Sequence, residues 1–139
     1  KTRAWSGRYW YGRKSFKEHN QFYLICLPAE KRLDSKILKK KLSIKELHFA
    51  SGEELKQEIN LTPGSVSIFG MIYSKDVFLI IDKELWDAEL VGFHPNINTS
   101  TIVLNHANLE KFYNSLKARK EIIKLWKEDM LLFLLLLLL

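Results

Sequence analysis

The chain has little cysteine and no apolar segment long enough to cross a membrane. Cys26 is the only cysteine among 139 residues, so no disulfide can form within the chain and a reducing compartment is favoured. No signal peptide is visible, and the leucine-rich stretch 131–139 has only nine residues, whereas a membrane-spanning helix needs roughly 20. We therefore expect a cytoplasmic protein without a membrane partner.

The sequence also lacks the residue sets that bind metal ions or activate a nucleophile. No group of His, Cys, Asp and Glu has the spacing of metal ligands, and we expect no metal and no other cofactor. No serine–histidine–aspartate set is recognisable. Cys26 lies inside the apolar run 22–27, so we interpret it as a small core residue rather than a nucleophile.

Length, apolar content and charge indicate one globular domain. With 139 residues, of which 47% are apolar, the chain can bury one core but not comfortably two. Lys and Arg number 22 against 16 Asp and Glu, a net charge of +6. This excess favours an anionic partner such as tRNA, although many basic domains bind no anion.

Apolar runs and capping signals predict an α/β fold of the α+β type, with a curved, mixed, largely antiparallel sheet and helices packed against it. Strands are predicted at 22–27, 47–50, 77–81 and 101–104, the last two of them buried, and the stretch 90–93 leads to His94. Helices are predicted after Asp34 or Ser35, after the capping box of Ser51 and Glu54, and over a single turn at Lys83–Asp87.

A last helix is predicted to begin after Asn105, which can cap it. Apolar residues then recur at helical spacing, namely Leu109, Phe112, Leu116, Ile123, Trp126 and Met130. We predict one domain over residues 1–116, whose N-terminal part is missing. Residues 117–139 are predicted to be a helical extension or linker that ends in an anomalous leucine run, to which we assign no function.

Residues 1–16 interleave basic and aromatic side chains. One interpretation is a nucleic-acid surface, where rings stack on bases and Arg or Lys pairs with phosphates. The other, about equally favoured, is an edge strand or hairpin with half-buried rings. The residues alone leave both open.

Residues 92–101 read GFHPNINTST and place a histidine at a stiff turn. Pro95 fixes its own φ and holds His94 extended, while Asn96 and Asn98 tolerate the dihedrals of a tight turn. From spacing alone, the stretch favours a turn with one packed histidine over a polar pocket wall.

Three ordered motifs change that weighting. Residues 92–104, GFHPNINTSTIVL, are similar to GFHPNxNTATVxL; residues 61–72, LTPGSVSIFGMI, to LxPGSVxPFGLI; and residues 27–34, LPAEKRLD, to LPADKRVD. These are motifs of the YbaK/prolyl-tRNA synthetase-associated domain family, which the chain resembles from about Phe22 to Phe112. The resemblance implies a YbaK-like fold and aminoacyl-tRNA as the partner. It also implies that the chain is an editing domain, either free-standing or fused to a prolyl-tRNA synthetase.

The activity implied by the resemblance is hydrolysis of mischarged tRNA(Pro), with alanyl-tRNA(Pro) favoured as substrate. The family works without a protein nucleophile, so water or a hydroxyl of the terminal ribose assists. Catalytic roles fall to His94 and to Lys14 or Lys17. The substrate-binding positions are Ile68, Phe69, Gly70, Gly92, Asn96 and Lys1.

Two departures from the family pattern keep other functions open. Ile68 stands where the family has proline, and the family's KNxFLKD motif is matched only loosely near Lys1. The alternatives are a cysteinyl-tRNA(Pro) deacylase and a non-catalytic domain that binds tRNA or a synthetase. For Gly70, a β-bulge is the structural alternative to a pocket wall.

Overall fold

Seven strands build one mixed sheet in the computed structural model, which describes residues 2–13, 19–60, 67–74, 76–93, 101–125 and 135–139. The strands are β1 (Thr2–Arg13), β2 (Gln21–Pro28), β3 (Glu46–Phe49), β4 (Val77–Asp82), β5 (Leu90–Phe93), β6 (Ile102–Asn105) and β7 (Lys120–Ile123). The helices are α1 (Ser35–Leu42), α2 (Gly52–Ile59), a 3-10 helix (Ile68–Tyr73), α3 (Lys83–Asp87) and α4 (His106–Ser115).

The strand order is β6-β5-β1-β2-β4-β7, with β3 also paired to β1. Strand β1 is antiparallel to β2 and β3, and β5 is antiparallel to β6. The β1–β5, β2–β4 and β4–β7 pairs are parallel. The predicted α+β class with a mixed sheet is therefore confirmed.

Strands β2 and β4 are continuous apolar runs because both faces of the sheet are covered there. On one face, Leu24 and Leu79 pack in a cluster with Leu55 of α2. On the other, Tyr23 and Ile80 belong to a cluster that α1 covers. The strands predicted at 22–27 and 77–81 are thus confirmed.

The capping signals in the sequence also hold. The Asp34 carboxylate accepts a hydrogen bond from the N–H of Lys36 at 3.0 Å. The capping box is complete, since Ser51 Oγ accepts from the N–H of Glu54 at 3.2 Å and the Glu54 carboxylate accepts from the N–H of Ser51. Asn105 caps α4 by accepting from the N–H of Asn108 at 2.8 Å. These bonds satisfy donors that every helix start leaves open.

Strand β1 lies inside the sheet, so the edge-strand interpretation is wrong for residues 2–13, whereas the alternative of a hairpin is confirmed by the antiparallel pairing of β1 with β2. One side of β1 pairs with β2, as a hairpin would, and the other pairs with β5 at residues 2–4 and with β3 at residues 10–13. Gly12 permits the approach of β3, because a Cβ there would lie 2.2 Å from the backbone oxygen of Glu46. The residue composition of a strand does not show how many other strands pair with it.

The helix that begins after Asn105 ends at Ser115, and Lys120–Ile123 form strand β7. The helical extension predicted for this segment is wrong, because β7 pairs with the buried strand β4 and satisfies its backbone there. Residues 126–134 lie outside the described residues. A domain boundary at 116 stays a prediction, although β7 belongs to the same sheet.

Strand β6 forms where residues 101–104 predict a strand, but it is not buried. Ile102 and Val103 are 41% and 48% exposed, because β6 is the last strand of the path and β5 is the one described strand that pairs with it. The predicted burial is therefore wrong. The terminal leucines 135–139 are also exposed, and none of the described helices combines the length and the apolar character of a membrane span.

Candidate functional site

The 3-10 helix carries three of the predicted pocket residues, Ile68, Phe69 and Gly70. Ser67 starts it: its Oγ accepts from the N–H of Phe69 at 3.2 Å, and its backbone oxygen accepts from the N–H of Gly70 at 3.0 Å. Ile68 is 1% exposed and packs in the core. Gly70 therefore lies in a helical turn, and the β-bulge alternative is wrong.

Phe69 connects this helix to two other elements. Its ring meets that of Phe93 edge to face at 5.8 Å and that of Phe112 in α4 at 5.3 Å. Phe93 is fully buried at the end of β5 and is followed in the chain by His94. The structure thus brings together two segments that the sequence separates by 16 residues: the 3-10 helix and the strand that leads to the histidine motif.

Gly92 lies one residue earlier in β5 and is buried. It stands in register with Ala4 of β1 on one side and Val103 of β6 on the other. The strand that delivers the chain to His94 is therefore held by backbone pairing on both sides.

The other predicted site residues, His94, Asn96, Lys1, Lys14 and Lys17, lie outside the described residues. Their roles stay predictions, and so do direct substrate contacts by the described ones.

A cleft of about 330 Å³ opens between the end of α2 and the 3-10 helix. Its lining is Gln57, Glu58, Ile59, Asn60, Gly70, Tyr73, Ser74 and Asp76. Of the predicted pocket residues that the structure describes, Gly70 alone lines this cleft. Sequence reasoning missed the other lining residues, because no pattern in the sequence indicates that α2 lies near Gly70. The available signal was Tyr73, an aromatic residue directly after the motif.

The end of α2 is shaped by Asn60. This residue adopts the left-handed conformation, φ 54°, and its N–H donates to the oxygen of Leu55. Asparagine tolerates that conformation better than most residues. The reversal at Asn60 places the end of the helix at the cleft.

The described residues offer no obvious nucleophile or metal ligand set. Cys26 is fully buried, and burial raises the pKa of its thiol, which disfavours the reactive thiolate. Its interpretation as a core residue is confirmed. Within the described ranges, no three side chains of His, Cys, Asp or Glu converge as they would around a metal ion.

Comparison with known proteins adds the family. The aminoacyl-tRNA editing domain family matches residues 14–112. The prolyl-tRNA editing protein ProX of Acetoanaerobium sticklandii is 37% identical over 93 residues, which make up 66% of this chain and 57% of that protein. The chain therefore spans little more than half the length of this relative.

Solved structures share the fold. A candidate trans-editing enzyme for prolyl tRNA synthetase superposes with a TM-score of 0.65 at 15% identity, over 89% of this chain and 70% of the other. A hypothetical protein superposes with a TM-score of 0.62 at 14% identity, over 85% of this chain and 73% of the other. At such identities the likeness concerns the fold alone.

Proposed function

Because the chain belongs to the aminoacyl-tRNA editing domain family, we propose that it hydrolyses the ester that joins a wrong amino acid to tRNA(Pro). The favoured substrate is alanyl-tRNA(Pro). The aminoacylation site of a prolyl-tRNA synthetase is shaped for proline and excludes a smaller side chain poorly, because one methylene contributes only about 1–3 kcal/mol of discrimination. A second pocket that admits alanine and rejects proline by size supplies the missing selectivity.

The contact between Phe69 and Phe93 carries this proposal. It joins Phe69, the neighbour of Gly70 in the chain, to the last residue of β5, so the described parts of two family motifs are in contact. The name of the 37% identical relative, a prolyl-tRNA editing protein, supports tRNA(Pro) as the substrate. A prolyl-tRNA synthetase is the second partner we propose.

Gly70 contributes space rather than a hydrogen bond. Its N–H already donates to Ser67, as does that of Phe69, so neither amide is open to stabilise a developing oxyanion. What Gly70 offers a ligand at the cleft wall is the absence of a Cβ. A larger side chain at this position should therefore obstruct the substrate.

The chemistry proposed is attack of water on the ester carbonyl, with the ribose oxygen leaving and taking up a proton. His94 orients the ester or the water, and Lys14 or Lys17, with Lys1 as the further candidate, holds the terminal phosphate. The fold supplies position, because the described residues contain no activated nucleophile.

The choice between alanine and cysteine does not follow from Ile68. Its side chain is enclosed in the core and is absent from the lining of the cleft, so its replacement of proline acts on the shape of the 3-10 helix.

The test is to incubate the purified protein with alanyl-, cysteinyl- and prolyl-tRNA(Pro) and follow release of each amino acid. We expect alanyl-tRNA(Pro) to be hydrolysed at least about tenfold faster than prolyl-tRNA(Pro). Faster release of cysteine would reassign the substrate. Binding of all three without turnover above the spontaneous rate would overturn the proposal in favour of a binding module.

A further inference from the structure

We propose that the cleft beside Gly70 is a nucleoside subsite, which holds the terminal adenosine of the tRNA with Tyr73 as its stacking surface. The identity of the adenosine rests on the proposed function. The capacity to bind a purine nucleoside rests on the cleft itself.

The ring of Tyr73 is exposed enough to stack on a planar ligand. It is 89% exposed although it lines the cleft, and its neighbour Ile72 is 59% exposed. Both follow the buried Met71, which anchors the 3-10 helix in the core. An exposed aromatic side chain on an anchored helix is a platform on which an unstacked base can lie, whatever its identity.

Amide and carboxylate groups surround this platform. Gln57 and Asn60 present the group that pairs with the edge of adenine, and Glu58 and Asp76 present acceptors for ribose hydroxyls. Within the described part of the chain, no hydrogen bond or ion pair of their side chains competes for these groups. The backbone of Asp76 is fixed, because Gln21 Nε2 donates to its oxygen at 2.6 Å.

Charge and size favour a nucleoside over a phosphate. Among the lining residues that the structure describes, the charged ones are Glu58 and Asp76 and none is Lys or Arg, so these carboxylates would repel a phosphate. The cleft volume of about 330 Å³ falls at the small end of the range typical of ligand sites. A base with its ribose suits such a volume better than a longer stretch of RNA.

The position of Gly70 connects this subsite to the reaction. In an aminoacyl-tRNA the amino acid is esterified to the ribose of the terminal adenosine. Gly70 lines the same cleft as Tyr73. The ester of a ribose held in this cleft would therefore lie against Gly70, which has no side chain. The inference thus gives Tyr73 a positioning role through the base.

The experiment compares Tyr73→Ala and Tyr73→Phe with Ile72→Ala as the matched control, an exposed apolar side chain of the same helix that does not line the cleft. Adenosine and uridine are titrated onto each protein by NMR, and kcat and KM for alanyl-tRNA(Pro) are measured separately. We expect Tyr73→Ala to weaken binding of both nucleosides and raise KM about tenfold, with kcat little changed. Tyr73→Phe, which keeps the ring, and Ile72→Ala should behave like the unmodified protein.

Gln57→Ala gives a second readout, since an amide reads the base edge while a ring does not. It should reduce the preference for adenosine over uridine and leave uridine binding as it was. The inference is overturned if Tyr73→Ala binds adenosine as tightly as Ile72→Ala, or if Tyr73→Phe loses as much as Tyr73→Ala. Deacylation that does not respond to Tyr73 would sink this inference and leave the proposed function intact, whereas adenosine binding without deacylation would do the reverse.

Discussion

Phe69→Leu should separate the aromatic contacts of the site from ordinary apolar packing. Leucine retains most of the buried apolar area but loses two edge-to-face pairs, with Phe93 at 5.8 Å and Phe112 at 5.3 Å. Each such pair contributes about 0.5–1.5 kcal/mol beyond area, so we expect the free energy of unfolding to fall by about 1–3 kcal/mol. Activity should fall further than stability suggests, because Phe69, the chain neighbour of Gly70, is then less firmly held against β5, and small displacements near a reacting ester can cost roughly a hundredfold.

The assay is urea unfolding together with kcat/KM on alanyl-tRNA(Pro), both measured under conditions where the variant is folded. Phe112→Leu is the matched control, since it removes one of the same pairs without touching Phe93. It should lose about half as much stability and keep most of the activity. Equal activity losses in the two variants, or full activity in Phe69→Leu, would refute the idea that this contact aligns the two motifs.

Three further substitutions or modifications test the fold. Gly12→Ala should lower the free energy of unfolding by about 3 kcal/mol, because its Cβ would lie 2.2 Å from the Glu46 oxygen; a variant of normal stability in urea would show that β3 can move away. Asp82→Ala should cost about 1–3 kcal/mol in the same assay, since the buried Asp82 carboxylate accepts the N–H of Leu125 at 3.1 Å, and Asp82→Asn should cost less because it keeps an acceptor. Cys26 should not react with a disulfide reagent at pH 8 until urea is added, because burial raises the pKa of its thiol; rapid labelling of the native protein would contradict that burial.

The parts of the fold that the sequence predicts best are those where local chemistry and burial agree. Strands β2 and β4 are buried on both faces, so their apolar runs are unbroken and leave little choice of element. The ends of α1, α2 and α4 follow from Asp34, Ser51 and Asn105, whose side chains cap the first turn in any context.

The errors come from features that depend on distant neighbours. Ile123 continues the helical spacing of apolar residues that begins at Leu109. It nevertheless lies in a strand, because β7 pairs with β4. The consecutive β-branched residues Ile122 and Ile123 were the local signal for this strand. Ile102 and Val103 look buried in sequence but lie at the end of the strand path. Strand β1 carries polar residues and still lies inside the sheet, since nothing local specifies its three partners.

The candidate site was predictable only where a motif marked it. Gly70 and Phe69 could be selected from the sequence, and in the structure Phe69 contacts the end of β5 and Gly70 lines the cleft. The opposite wall of the cleft comes from Gln57 and Asn60 at the end of α2, whose residue types are common on any helix surface. The role proposed for them depends on the packing of α2 near the 3-10 helix.

The most direct test of the account is single-turnover hydrolysis of alanyl-tRNA(Pro) by the unmodified protein, Gly70→Val and His94→Ala. We predict release of alanine well above the spontaneous rate for the unmodified protein, and a loss on the order of tenfold or more in each variant at unchanged melting temperature. Release by the unmodified protein at only the spontaneous rate would contradict the proposed hydrolysis. Full activity in both variants would place the reaction elsewhere on the molecule.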